Sequence, residues 1–129
     1  MREIIQTDQA PAPVGPYNQG ILAAGAMLFV AGQIPLDAQT GELIGSTVAE
    51  QTEKSLQNLA AVVKAANSDF SQVVKTTVFL KDMNDFAAMN EVYAKHFDSE
   101  TGPARACVEV ARLPKDVLVE IDCIAVVPQ

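Results

Sequence analysis

A stretch near the end of the chain, residues 102–127, places charged residues inside two apolar runs that otherwise resemble strands. The first run carries Arg105 and Glu109, and the second carries Glu120 and Asp122. A short proline-containing connection joins the two runs. A charge inside a buried strand costs free energy unless it is paired or used. This conflict between strand pattern and charge indicates a functional site.

The two runs predict a closing β-hairpin, and its register decides which side chains share a face. A turn at the proline places Arg105 opposite Asp122 and Cys107 opposite Glu120. Opposed residues on neighbouring strands project to the same side of a sheet. We therefore expect these four side chains on one face. Cys123 then lies on the other face, which disfavours a disulfide between the two cysteines.

The predicted face has two interpretations. In the first it is an anion site. The planar guanidinium of Arg105 can donate two hydrogen bonds to a carboxylate, and Glu120 can take a proton from a water or give one to an imine. In the second it is a structural cluster of Arg and carboxylates at a subunit interface, since ion-pair networks produce the same pattern. The pattern alone favours the structural cluster.

Four further residues have both a functional and a structural interpretation. Tyr17 is bracketed by a proline and glycines, a restricted segment that can aim the phenol at a pocket or plug an interface. Gly32 allows a ligand to approach the backbone, although a simple strand end is the commoner explanation. Asn90 lies beside the apolar stripe of a predicted helix, so its amide faces either inward or towards solvent. Cys107 is either a small buried apolar residue or a reactive thiol.

Composition and charge argue against several classes of protein. The formal net charge is -7 and Trp is absent, which disfavours nucleic-acid binding through a basic field or a stacking platform. No segment has the pattern of a signal peptide or the length of a membrane span, so we expect a cytoplasmic protein with reduced cysteines. His96 is the only histidine. We expect it to be solvated near a helix end, and neither a zinc cluster nor a Ser-His-Asp relay is indicated.

Hydrophobic periodicity predicts a single domain over residues 1–129 with the order β-β-β-α-β-α-β-β. A capping box of Thr47 and Glu50 opens the first helix, which runs to about residue 66. The second helix begins near residues 82–84 and runs to about residue 97. The strands are expected at 2–5, 17–23, 27–33 and 73–80, with the closing hairpin over about 104–126. The second and third strands are expected to pair with each other as a hairpin.

These elements indicate an α+β protein with a six-stranded mixed sheet and both helices on one face. The run from Met27 to Ala31 is apolar on both faces, which predicts a central strand covered from both sides. The helices cover only one side of the sheet. A second copy of the chain is the simplest cover for the other side, so we expect an oligomer whose sheets face one another.

Four segments occur in an order that resembles the RidA family, also called YjgF or reactive intermediate deaminase. They are GPYNQG at 15–20, GQIP at 32–35, VKTTVFLKDMNDF at 74–86, and the stretch from PAR at 103–105 through RLPK at 112–115 to Glu120. The resemblance covers essentially the whole chain, and the part from Arg105 to Glu120 is its most specific portion. It implies a chorismate-mutase-like fold and a homotrimer with three clefts between subunits.

The resemblance further implies an activity that uses no cofactor. Reactive 2-imino acids or their enamine tautomers, such as 2-aminoacrylate, 2-iminobutanoate and 2-iminopropanoate, would be hydrolysed to 2-keto acids and ammonia. Such species are released by enzymes that depend on pyridoxal phosphate. Arg105 would bind the substrate carboxylate, and Glu120 would activate the attacking water or pass a proton to the imine. Tyr17 would order that water or close the cleft.

Pocket-lining roles are implied for three more residues. Backbone groups of Gly32 and Cys107 would line the carboxylate pocket, and Asn90 would support it. The chain departs from the family pattern at Ala31, where many members carry Ser. One hydroxyl contact to the ligand is therefore missing.

Functions of other classes compete with this one. Members of the family have also been described as translation inhibitors with ribonuclease activity and as holdase chaperones. The acidic charge, scarce aromatic residues and single histidine argue against RNA cleavage. A holdase needs only exposed apolar surface, and a non-catalytic binder of small carboxylates would reuse the Arg105 cleft. Release of ammonia from a freshly generated imine distinguishes the enzyme from both.

Overall fold

The computed structural model describes residues 1–129 and contains six strands and two α-helices. In chain order they are β1 (Arg2–Ile5), β2 (Gly20–Ala23), β3 (Ala26–Gln33), α1 (Val48–Ala65), β4 (Val73–Leu80), α2 (Phe86–Tyr93), β5 (Ala104–Glu109) and β6 (Val119–Val127). The predicted α+β class, with two helices and a mixed sheet, is confirmed.

The six strands are divided between two sheets. Four of them form a mixed sheet in the order β3-β6-β4-β5, and β1 and β2 form a separate antiparallel pair. One parallel bridge, between Asn18 and Ala104, joins the pair to the β5 edge. Pro16 and Pro103 flank this bridge and lack the N–H groups that would extend it into a ladder. The prediction of one continuous six-stranded sheet is therefore wrong.

β2 and β3 do not pair with each other, so the hairpin predicted over residues 17–23 and 27–33 is also wrong. β2 pairs with β1, whereas β3 pairs with β6 and places Phe29 opposite Ile124. Gly25 adopts φ of +124° in the short connection between the two sheets, a conformation that favours glycine. The apolar β3 finds a longer apolar partner in β6 than in β2, and cross-strand side-chain packing stabilises that choice.

β5 and β6 do not form the predicted closing hairpin, because β4 lies between them. β5 runs parallel to β4 with Arg105 opposite Thr76, and β6 runs antiparallel to β4 with Cys123 opposite the same threonine. A parallel pair requires a crossover connection, and α2 supplies it between β4 and β5. The sequence spacing was compatible with a hairpin, but the crossover places β5 on the far side of β4.

The connection between β5 and β6 passes around the end of β4 instead of turning tightly. The Val110 amide donates to the Leu80 carbonyl at 2.8 Å, and the Lys81 amide donates to the Leu118 carbonyl at 3.0 Å. Leu113 in this connection is buried. The segment is thus held against the β4 end by backbone hydrogen bonds and one apolar side chain.

This strand order separates the charges that the hairpin register grouped. Opposed residues share a face, so Arg105 and Cys107 lie with Cys123 on the side that packs against the helices. Glu120 and Asp122 lie on the opposite side. The prediction that the two pairs share one face is wrong, as is the prediction that the two cysteines lie on different faces. β4 separates the cysteines, and both thiols are free.

Both helices pack on the same side of the four-stranded sheet. The predicted capping box opens α1: Thr47 Oγ1 accepts from the Glu50 amide, and the Glu50 carboxylate accepts from the Thr47 amide, each at 3.2 Å. α2 ends at Tyr93 rather than near residue 97, and a 3-10 turn, Met83–Asp85, precedes it. Neither helix combines the length and apolar character needed to cross a membrane.

The main core lies between the helices and the sheet. Its fully buried members include Leu56, Leu59, Val78, Tyr93 and Ile121. No element of the chain covers the opposite side of the sheet, where Phe29 is 72% exposed.

The capping box generates a prediction about stability. Replacing Thr47 with Ala removes the side-chain acceptor for the Glu50 amide, and we expect the free energy of unfolding to fall by about 1 kcal/mol. Urea unfolding followed by circular dichroism measures this change. Thr101 is an exposed threonine whose hydroxyl forms no hydrogen bond, so Thr101→Ala is the matched control and should have little effect. Equal losses in both variants would contradict a capping role.

Candidate active site

Arg105 lies on the helix-facing side of β5 and has no acidic partner. Its Nη1 donates to Asn90 Oδ1 at 2.6 Å, and Met89 Sδ lies 4.0 Å from the same nitrogen. No carboxylate of the chain forms an ion pair with it, since the two pairs present are Glu53 with His96 and Arg112 with Asp116. Burial lowers the pKa of the Arg105 guanidinium. A half-buried cation with unsatisfied donors has the chemistry needed to accept an anion.

Three aromatic rings surround the guanidinium. The Arg105 Cζ atom lies 4.8 Å from the ring centre of Tyr93, 5.0 Å from that of Tyr17 and 5.6 Å from that of Phe86. Cations are attracted to aromatic faces at these distances, and the rings also exclude water from the charge. The side chain is therefore stabilised without neutralisation of its charge.

Tyr17 reaches Arg105 from the proline-rich loop before β2. Its hydroxyl oxygen accepts from the Val14 amide at 3.1 Å, which leaves the O–H free to donate. The loop comes so close to the site that a Cβ atom on Gly15 would lie 2.8 Å from Arg105 Nη2. Only glycine fits at this position without displacing the guanidinium.

The Gln19 side chain holds the same loop in place. Its Oε1 accepts from the Thr7 amide at 2.7 Å, and its Nε2 donates to the Pro11 carbonyl at 2.7 Å. The restricted segment predicted around Tyr17 thus has a structural origin in both its prolines and this amide.

A cavity of about 100 Å³ lies beside the guanidinium, lined by Val14, Tyr17, Phe86, Arg105 and Cys107. Burial raises the pKa of the Cys107 thiol, and the nearby guanidinium only partly opposes the shift. The thiol is therefore neutral at physiological pH, which favours the interpretation of Cys107 as a small half-buried wall of the cavity. A larger depression of about 580 Å³ lies between Gln6 and Gln19. No cationic side chain lines it, so it lacks a group that could pair with an anion.

Glu120 and Gly32 form a second cluster on the opposite side of the sheet. A Cβ atom on Gly32 would lie 2.8 Å from Glu120 Cδ, so the absence of a side chain makes room for the carboxyl group. Burial and, to a lesser extent, the charge of Asp122 raise the pKa of Glu120. A carboxyl group whose pKa is raised towards neutrality suits proton transfer. The adjoining Ala31 offers no hydroxyl.

The structure therefore divides the predicted site residues between two places. Arg105, Tyr17, Asn90 and Cys107 come together on the helix side, and the Asn90 amide faces inward. Glu120 and Gly32 lie together on the uncovered side. A single copy of the chain does not bring the two clusters into one site.

Sequence reasoning missed three residues around Arg105: Gly15, Phe86 and Tyr93. The signal for Tyr93 was present, because it follows Asn90 by three residues and so lies on the same face of α2. Gly15 carried no signal beyond its place in the loop. Its steric role depends on where Arg105 projects.

His96 lies just after the end of α2, as predicted, but its side chain is only 22% exposed and is not freely solvated. Its Nε2 lies 2.7 Å from Glu53 Oε1, and its ring meets Phe70 edge to face at 6.2 Å between centroids. The hydrogen bond from His96 lowers the pKa of Glu53. The prediction failed because the chain after α2 packs against α1. His96 therefore joins two structural elements and lies outside both clusters.

Comparisons with known proteins agree with the architecture. The family profile described as Endoribonuclease L-PSP matches residues 7–127. A RutC family protein of Synechocystis is 64% identical over 127 residues, covering 98% of this chain and 97% of the relative. Escherichia coli TdcF, whose name assigns it provisionally as a reactive intermediate deaminase, is 51% identical over 128 residues and covers 98% of each chain.

Solved structures are similar over the same length. The crystal structure of E. coli TdcF with bound serine has a TM-score of 0.74 and 48% identity, covering 98% of this chain and 99% of the other. That of the E. coli YjgF gene product has a TM-score of 0.73 and 50% identity, covering 96% and 98%. Sequence and fold lead to the same conclusion: the chain belongs to the Endoribonuclease L-PSP family, which includes the RidA/YjgF, RutC and TdcF proteins.

Proposed function

We propose that the protein is a deaminase that hydrolyses small 2-imino acids and their enamine tautomers to 2-keto acids and ammonia. Suitable substrates are 2-iminobutanoate, 2-iminopropanoate and 2-aminoacrylate, released by enzymes that depend on pyridoxal phosphate. The observation that carries the proposal is the unpaired Arg105 guanidinium, which fits the carboxylate of such a substrate. The serine bound to TdcF has the same carboxylate and a similarly small side chain.

The proposed reaction uses the two clusters for different steps. Arg105 binds the carboxylate in the small cavity, and Glu120 removes a proton from a water that attacks the imine carbon. That proton passes to nitrogen to give a carbinolamine. The hydroxyl proton then follows it to nitrogen, the carbon–nitrogen bond breaks, and ammonia leaves as the carbonyl forms. The free O–H of Tyr17 orders the water. Gly32 and Cys107 line the pocket and Asn90 supports Arg105, without a cofactor.

Modest stabilisation is sufficient for this chemistry. Imines hydrolyse unaided in water, so the protein needs only to orient the reactants and stabilise developing charge. A fixed guanidinium and a carboxyl group with a raised pKa supply both effects.

The complete site requires a second copy of the chain. Arg105 and Glu120 lie on opposite sides of one sheet, and the side that carries Glu120 is uncovered, with Phe29 exposed. We propose a homotrimer in which this face is buried and each cleft combines Arg105 of one subunit with Glu120 of its neighbour. This arrangement supplies the missing sheet cover and the missing half of the site together.

A non-catalytic role as a binder of small carboxylates is the second candidate. It is favoured by the same Arg105 cluster and by the serine in TdcF. Glu120→Gln distinguishes the two functions, because it removes the proton acceptor and leaves the guanidinium intact. A binder would be unaffected by this change.

The proposed role of Arg105 generates a prediction. Arg105→Ala should lower kcat/KM for imine hydrolysis about a hundredfold or more, because a buried charged partner of the substrate carboxylate is lost. An assay that couples threonine dehydratase to ammonia release measures this. Arg112→Ala removes an exposed arginine paired with Asp116 and serves as the control. Retained activity in Arg105→Ala would refute the assignment.

A second prediction tests the shared cleft. Arg105→Ala and Glu120→Gln should each be nearly inactive, but their co-assembly restores some clefts in which both residues are intact. Random mixing at equal amounts should recover roughly a quarter of wild-type activity in the unseparated mixture, and about a third in the isolated mixed trimers, where one cleft in three has both residues. Co-expression with two affinity tags isolates the mixed oligomers. If mixed oligomers are as inactive as the parents, the site is not shared between subunits.

The pH dependence follows from the raised pKa of Glu120. The ionised carboxylate acts as the base, so activity should be lost as the pH falls through this raised pKa. Asp122→Asn removes a negative charge that raises it, and the acidic limb of kcat/KM should therefore move to lower pH. Asp116→Asn, in the exposed pair with Arg112, is the control. An unmoved limb in Asp122→Asn would contradict the role of Glu120.

A further inference from the structure

Two hydroxyl groups lie in the apolar core beneath Arg105. Tyr93 and Thr76 are both fully buried, and Tyr93 Oη and Thr76 Oγ1 are 2.7 Å apart. Burial raises the pKa of Tyr93 to about 12, so the phenol keeps its proton. The two groups satisfy each other and contact no solvent.

Core packing alone does not require these hydroxyls. The other residues that β4 directs into the core include Val78 and Leu80, which fill their places without polar atoms. A valine and a phenylalanine would fill the positions of Thr76 and Tyr93 with nearly the same volume. A buried hydroxyl pair adds a positional constraint, because the hydrogen bond fixes where the Oη end of the tyrosine ring lies.

The fixed position of the Tyr93 ring in turn restricts Arg105, because each residue of this group contacts the guanidinium or its neighbour in the sheet. Thr76 is opposite Arg105 in the β4–β5 pairing, so the hydroxyl and the guanidinium start from neighbouring backbone positions. The ring of Tyr93 lies 4.8 Å from the Arg105 Cζ atom. Asn90, one turn earlier on α2, binds the same guanidinium at 2.6 Å.

We propose that Thr76 and Tyr93 are positioning residues that orient the Arg105 guanidinium towards the cavity beside it. This inference rests on the proposed function, because the orientation matters only if Arg105 binds a carboxylate. With the hydroxyl pair in place, the ring supports one side of the guanidinium and Asn90 fixes one nitrogen. The remaining donors then face the cavity.

The effect should fall on ligand binding more than on the chemical step. Arg105 holds the carboxylate before and during the reaction, so a poorly oriented guanidinium raises KM and the dissociation constant of a carboxylate while kcat changes less. An increase of about three- to tenfold is the loss that one ordinary hydrogen bond accounts for.

The test uses Thr76→Val, Tyr93→Phe and the double variant. Each single variant leaves one buried hydroxyl without a partner, whereas the double variant leaves none. We expect the double variant to regain melting temperature relative to the singles and yet to keep the three- to tenfold weaker binding. Calorimetric titration with 2-oxobutanoate and the dehydratase-coupled assay supply the dissociation constant, KM and kcat.

Two further variants serve as controls. Ser55→Ala removes a buried hydroxyl of α1 that has no hydrogen-bond partner and should leave binding unchanged. Thr76→Ser keeps the hydroxyl and should retain wild-type binding even where Thr76→Val folds poorly. A structural role alone would restore stability and binding together in the double variant.

The outcomes separate the positioning role from the proposed function. Wild-type binding in the double variant, or weakened binding in Thr76→Ser equal to that in Thr76→Val, overturns the positioning role. If the wild-type protein neither binds 2-oxobutanoate nor releases ammonia from imines, the proposed function falls and the inference with it.

Discussion

The central position of β4 determines most of this structure. It is hydrogen-bonded on both edges, parallel to β5 and antiparallel to β6, and the turn of chain around its end is held by its own last backbone groups. Because β4 is paired on both edges, its register determines which residues of β5 and β6 project to each side of the sheet. Residues that are close in sequence and similar in charge, such as Glu109 and Glu120, are therefore carried to different surroundings.

The chemistry of the Arg105 cluster follows from a desolvation cost that the surrounding residues offset only in part. Removing a guanidinium from water is costly, and the three aromatic rings and one amide oxygen recover only part of that cost. An acidic partner would complete the compensation and also close the site to an external anion. The absence of such a partner keeps Arg105 available, and the close approach of Gly15 leaves its donors facing a cavity suited to small molecules.

Local features of this fold could be predicted from the sequence, because short-range physics controls them. The capping box at Thr47, the apolar stripe of α1 and the unusual charges at Arg105 and Glu120 were all visible. The strand order could not be predicted. A hairpin and a crossover place the same residues in strands, and they differ only in whether β5 pairs with β6 or with the free edge of β4. The contact between His96 and Glu53 depends on helix packing and has no local signature.

The resemblance to known proteins identified the candidate residues, but the geometry changed their relationship. Arg105 and Glu120 were expected as neighbours on one face, and the structure shows two clusters on two sides of a sheet. Pattern analysis could not show this, because it assumes that residues used together are close within one chain. The proposed cleft between copies of the chain would violate that assumption.

One consequence of placing the two clusters on opposite sides of the same sheet concerns how the protein tolerates change. In the proposed trimer every subunit contributes to two different clefts, one through each side. A shift of β6 relative to β4 would therefore change two clefts at once. It would move Glu120 in one cleft and alter the support of Arg105 in the other. Sheet geometry is thus subject to a double constraint, and variation should accumulate in loops such as residues 37–42 rather than in the strands.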